Sequence, residues 1–133
     1  MKKVLFIVAN VGFQDHEFSV PYEAVKNAGY EIEIASGWGG KCRGVFMKSI
    51  EDSKKIIEVD PTRYDLLVFV GGGGAYDQYY LDSDYLHLAK TAKAVAAICI
   101  APSLLSDAGI YQKRQVTGRD DGFGTQVAYL QKN

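Results

Sequence analysis

Apolar residues in this chain collect into short, nearly unbroken runs at 3–9, 64–70 and 94–98. Runs of that length without polar alternation predict strands buried on both faces, as in parallel sheets. The segment 30–35 alternates instead, with Glu31 and Glu33 set against Ile32 and Ile34, and predicts a half-buried strand. Helical spacing lies between these runs. Phe18, Tyr22 and Val25 mark one face of a helix running from His16 or Glu17 to Ala28. Gly29 closes that helix, and Pro21 is expected close enough to its start to be tolerated. Further helices are predicted at 83–93, at 102–108 before Gly109, and at 126–132. The stretch 36–61 is less regular. Its glycines predict turns, and 45–50 and 55–59 read as short edge strands. Val116 and Thr117 begin one further short strand.

Strands alternating with helices predict an α/β domain: a flavodoxin-like three-layer sandwich with a mostly parallel central sheet. Sites in such folds lie beyond the carboxyl ends of the strands. Three segments should therefore converge there: the loop 10–17, the run Gly71-Gly72-Gly73-Gly74, and the strand end at Cys99.

Cys99 ends an apolar run and is followed by Ile100-Ala101-Pro102, with Pro102 suited to the first turn of a helix. Ala97 and Ala101 are the small flanks that a nucleophile elbow requires. Helix N–H groups aimed at the sulfur favour a thiolate; the bland alternative is a small buried hydrophobe. The glycine run reads either as amides open to an oxyanion or as a tight turn. It matches no nucleotide-binding glycine motif. Glu17 is either a charge favoured at a helix start or, if it faces Cys99, a buried acid able to hydrogen-bond the sulfur. Of the two histidines, His87 is expected at the solvent side of its helix and His16 nearer the site. Tyr76, Tyr79, Tyr80 and Tyr85 line a substrate mouth or an interface, or simply pack a helix. Cys42 sits between Lys41 and Arg43 in a glycine-rich loop with nothing else that looks like a site.

Composition narrows the setting. With 133 residues the chain is one domain in size. Fifteen Lys and Arg against 16 Asp and Glu, without a basic block, argue against a nucleic-acid surface. The apolar segment 4–9 is too short for a membrane span or a signal-peptide core. Two distant cysteines form neither a disulfide framework nor metal-ligand spacing, so a cytoplasmic protein without metal or cofactor is expected.

Taken together, Val4-Leu5-Phe6-Ile7, Asp15-His16-Glu17 leading to Pro21, Tyr64-Asp65-Leu66-Leu67-Val68, Gly71-Gly72 and Ala97-Ile98-Cys99-Ile100-Ala101-Pro102 resemble the ThiJ/PfpI superfamily. Its fold is like that of class I glutamine amidotransferases. The resemblance implies that Cys99 is the elbow cysteine and Glu17 its acidic neighbour, with Gly71, Gly72 and the Ile100 N–H around an anion site. It implies a homodimer or higher homo-oligomer and glyoxalase- or deglycase-like chemistry on small carbonyl compounds. The alternatives are a redox sensor or chaperone-like stress protein, or a cysteine peptidase. Two departures stand out. Ile100 occupies the position where peptidase-like members carry histidine, and Gly118-Arg119-Asp120 stands where other members place one. Relatives also continue through a further strand and helix, so residues 1–133 are expected to form one domain lacking them.

Overall fold

The computed structural model describes residues 2–80, 82–111, 115–119 and 125–132. Strand β1 (Lys3–Ile7) takes the centre of a five-stranded sheet because its residues are apolar on both faces. Val4 and Phe6 point to one core with Val8 beyond them, and Leu5 and Ile7 point to the other with Ala9. Burying each large side chain of this kind stabilises the fold by roughly 1.5–3 kcal/mol. In chain order the elements that follow β1 are β2 (Val11–Phe13), α1 (Asp15–Asn27), β3 (Glu31–Ser36), β4 (Cys42–Gly44), β5 (Ser49–Ile50) and β6 (Lys54–Lys55). Then come β7 (Leu66–Phe69), α2 (Gly73–Tyr79), α3 (Ser83–Thr91), β8 (Val95–Ala97), α4 (Ala101–Asp107) and α5 (Thr125–Lys132).

The central sheet has the order β6-β3-β1-β7-β8, with every pairing parallel. Helices cover both faces, giving the expected flavodoxin-like α/β sandwich. Tyr85, Leu88, Leu104 and Leu105 bring α3 and α4 onto one face. On the other, Phe18, Tyr22 and Val25 of α1 pack on Phe6, Val8 and Val68, with Phe6 and Phe18 in an edge-to-face contact at 5.7 Å. At the amino end of the sheet, Glu33 accepts from Tyr64 and pairs with Lys3 and Lys54, each at 2.7 Å.

Several boundaries differ from the sequence expectation, each for a local reason. Helix α1 begins at Asp15, because the Gln14 side chain caps it by accepting the N–H groups of His16 and Glu17. Pro21 therefore lies beyond the first turn, where it withholds the N–H that would bond the Glu17 carbonyl, yet the helix continues to Asn27. The loop after β1 contains β2, which pairs with β4 in a second sheet ordered β2-β4-β5. The expected edge strand at 45–50 is mostly a turn. The buried Asp15 carboxylate accepts the N–H groups of Phe46 and Lys48 at 3.0 and 2.9 Å, removing donors a strand would use. Of the expected strand at 55–59 only Lys55 pairs with β3, together with Lys54 before it, because Ile56–Glu58 coils into a 3₁₀ turn that buries Ile56 and exposes Ile57. Helix α3 stops at Thr91, since Ala92 is extended. Val116 and Thr117 have no regular structure.

Candidate functional site

Strand β8 delivers Cys99 to the carboxyl edge of the sheet. The turn from β8 into α4 is tight: Ala101 N–H bonds the Ile98 carbonyl at 3.1 Å, and Cys99 adopts φ +61°. That left-handed conformation costs a residue with a Cβ about 1–2 kcal/mol. Two donors from later in the chain hold the turn. Arg119 N–H and Gln126 Nε2 both reach the Cys99 carbonyl, at 3.1 and 2.9 Å. Gln126 also donates to Ser103 Oγ at 3.0 Å, fastening α5 to α4.

Gln14, Glu17, Gly72, Gly73, Tyr76, Cys99, Ile100 and Arg119 line a cleft of about 310 Å³. All three converging segments meet there. Glu17 reaches it from the first turn of α1, and its Oε2 is buried without a hydrogen-bond partner. Gly71 is what lets the acid approach the thiol. A Cβ on Gly71 would fall 2.5 Å from Glu17 Oε2, 2.7 Å from the Ile98 carbonyl oxygen and 2.9 Å from Cys99 Cβ. Gly71 is thus the spacer between Glu17 and Cys99, while the amides bordering the cleft belong to Gly72 and Gly73. Gly72 has φ +107°, a conformation open to glycine alone, and it turns the chain from the end of β7 into α2.

The electrostatics of Cys99 run against the expectation of a ready thiolate. Burial pushes the thiol above its ordinary range, and the charge of the nearby Glu17 carboxylate adds to this. The Ile100 N–H and the Arg119 guanidinium oppose that shift without overcoming it. Neither histidine borders this cleft: His16 is exposed with its ring 6.3 Å from Phe46, and His87 is exposed on α3. Cys42 is buried, its sulfur 3.5 Å from Ser53 Oγ. Among the described residues no three His, Cys, Asp or Glu side chains gather as a metal-binding group, and no helix is long and apolar enough to cross a membrane.

The tyrosines divide. Tyr79 and Tyr85 are core residues on the face covered by α3 and α4, whereas Tyr76 and Tyr80 stack at 4.7 Å beside the Cys99 cleft. Sequence reasoning missed the part played by Arg119 and Gln126. Arg119 stands in the segment where the resemblance places a histidine in other members, but an isolated arginine in irregular sequence carries no pattern, and Asp120 lies outside the described residues. Gln126 sits on a predicted helix, with nothing local to indicate that it would turn inward.

A profile of the DJ-1/PfpI family matches residues 2–127. The chain belongs to the DJ-1/PfpI family. Among the relatives of this DJ-1/PfpI protein is Deglycase PfpI of Pyrococcus furiosus, 33% identical over 98% of this chain and 82% of that protein. An uncharacterized protein of Methanocaldococcus jannaschii is 31% identical over 86% of this chain. The chain spans only 58% of that relative's length. A crystal structure of a ThiJ/PfpI domain protein from Brachyspira murdochii superposes with a TM-score of 0.87 at 25% identity, covering 98% of this chain and 75% of that one.

Proposed function

We propose that this protein uses Cys99 as the elbow nucleophile of a glyoxalase- or deglycase-like reaction on small aldehydes, with Glu17 as its proton carrier. The observation that supports this best is the Glu17 carboxylate: one oxygen is buried without a hydrogen-bond partner, and it crowds the same open side of Gly71 as Cys99 does. In this reading Glu17 accepts the S–H proton as sulfur forms its bond to the aldehyde carbon, and the C=O π pair becomes an oxyanion. In the same reading the N–H groups of Ile100, Gly72 and Gly73, residues that line the cleft with Cys99, meet that oxygen, which then takes the proton back from Glu17 to complete a hemithioacetal. For an α-oxoaldehyde, Glu17 next takes the proton from the carbon bearing sulfur and gives it to the oxygen of the adjacent carbonyl, forming an enediol. It then takes the O–H proton of the carbon bearing sulfur and delivers it to the adjacent carbon, leaving a thioester and a hydroxyl. The resulting thioester is cleaved by water to an α-hydroxy acid and free thiol. No external oxidant or reductant is needed.

The names of the relatives agree with this chemistry, since proteins of Pyrococcus furiosus and Escherichia coli at 33% and 30% identity are called deglycases. The test is methylglyoxal turnover by the wild-type protein and by Cys99→Ser. Turnover by the wild type and none by the variant is expected. Equal rates in two equally folded proteins overturn the proposal.

A further inference from the structure

A second cavity of about 250 Å³ opens beside the Cys99 cleft and shares Tyr76, Ile100 and Arg119 with it. Its remaining walls are Tyr80, Tyr129, Ser103 and Gln126, so it combines flat aromatic surface with neutral polar groups. Arg119 is the sole cation among the described residues lining either space. Its side chain is exposed, and among the described residues no carboxylate lies within ion-pair distance of its guanidinium. Two acidic groups stand near. Glu17 borders only the Cys99 side, and Asp107 accepts a hydrogen bond from Tyr129 without forming part of the cavity wall. On the tyrosine side, Arg119 is the charged group among the described wall residues, and Asp107 is engaged by Tyr129.

We propose that Arg119 and this tyrosine-lined cavity form a carboxylate subsite, and that the aldehydes handled best carry an acid group a few carbons from the reacting carbonyl. The inference rests on Cys99 being the reacting group. One guanidinium among neutral donors balances one negative charge, which fits a carboxylate rather than a phosphate dianion. The stacked Tyr76 and Tyr80 rings offer apolar contact to the carbons that join the acid to the carbonyl.

Binding is tested apart from catalysis by titrating the unreactive oxo acid levulinate, and separately its uncharged methyl ester, into Cys99→Ser protein followed by calorimetry. Levulinate should bind more tightly than the ester by about tenfold to a hundredfold, the factor one charge-assisted hydrogen bond supplies. Arg119→Gln in the same background should erase that difference. Equal binding of acid and ester, or no binding of the acid, overturns the subsite. This comparison holds on the unsubstituted Arg119 even if the glutamine variant folds poorly. In turnover, the wild type should prefer dioxovalerate, the levulinate analogue with an aldehyde in place of its terminal methyl, over methylglyoxal by a similar factor in kcat/KM. Levulinate binding without turnover of either aldehyde would overturn the Cys99 chemistry alone. Methylglyoxal turnover without levulinate binding would overturn the subsite alone.

Discussion

Gly71→Ala places one methyl group between the side chains of Glu17 and Cys99 and changes no functional group, which makes it a direct test of the proposed pair. The added Cβ would sit 2.5 Å from Glu17 Oε2, 2.7 Å from the Ile98 carbonyl oxygen and 2.9 Å from Cys99 Cβ. Ordinary contacts for such atoms begin near ~3.4 Å, so each neighbour must retreat by roughly 0.5–0.9 Å. The Glu17 side chain can swing away, but the Ile98 carbonyl belongs to the backbone of the β8 turn and accepts the Ala101 N–H. Overpacking of this kind costs about 1–3 kcal/mol of stability. The effect on chemistry is larger, because a displacement near 1 Å in a catalytic pair lowers rate by about a hundredfold. Urea unfolding and methylglyoxal kcat/KM measured on the same preparation separate the two effects. The expected result is a folded, modestly destabilised protein with turnover reduced about a hundredfold. Full activity in Gly71→Ala would refute the claim that the spacing of Glu17 and Cys99 controls the reaction.

Glu17→Gln removes the charge that helps hold the thiol up, so the Cys99 pKa should fall while aldehyde turnover is lost; titration of thiolate ultraviolet absorbance checks the direction, and an unchanged or raised value contradicts it. Acid stability should depend on Glu33. Burial alone would raise its pKa, but hydrogen bonds from Lys3, Lys54 and Tyr64 outweigh burial and hold it down to about 2 against an ordinary 4.5. The stabilisation is therefore complete above pH 4.5 and fades as pH falls toward about 2. It amounts to ~1–2 kcal/mol after solvent screening, and a Glu33→Gln protein whose stability falls just as steeply over that interval would count against it. Cys99→Gly should exceed Cys99→Ala in unfolding free energy by about 1 kcal/mol, because glycine accepts a φ of +61° without strain; equal stability of the two would show that the turn carries no strain.

The central strands were legible because β1 and β7 bury both faces, which leaves an unbroken apolar run in the sequence. Cys99 was legible as the end of an apolar run followed by small residues and Pro102, although β8 is an edge strand that is only partly buried rather than covered on both faces. The second sheet was not. It depends on the Asp15 side chain reaching Phe46 and Lys48, more than thirty residues away, and local propensity carries no trace of that contact. The electrostatic state of Cys99 was also hidden. The helix-start argument favoured a thiolate, but the outcome turned on burial and on a carboxylate brought across Gly71, quantities that exist only after folding. Arg119 and Gln126 escaped notice for the same reason, since their contribution is defined by what α4 and β8 present to them.

The pin on the Cys99 carbonyl has a consequence for the order in which the site comes into being. Gln126 follows Cys99 by 27 residues, so a chain emerging from the ribosome carries its thiol well before the side chain that fastens the turn. The parallel sheet, with β8 in place, can form from residues already synthesised, and domains generally gain structure as their amino-terminal parts appear. Until α5 docks, however, the strained φ at Cys99 is opposed by one fewer donor, and the cavity beside it lacks the walls supplied by Gln126 and Tyr129. The turn is thus fastened after the scaffold can form, and a nascent chain holds its sulfur in an unfinished setting until α5 docks.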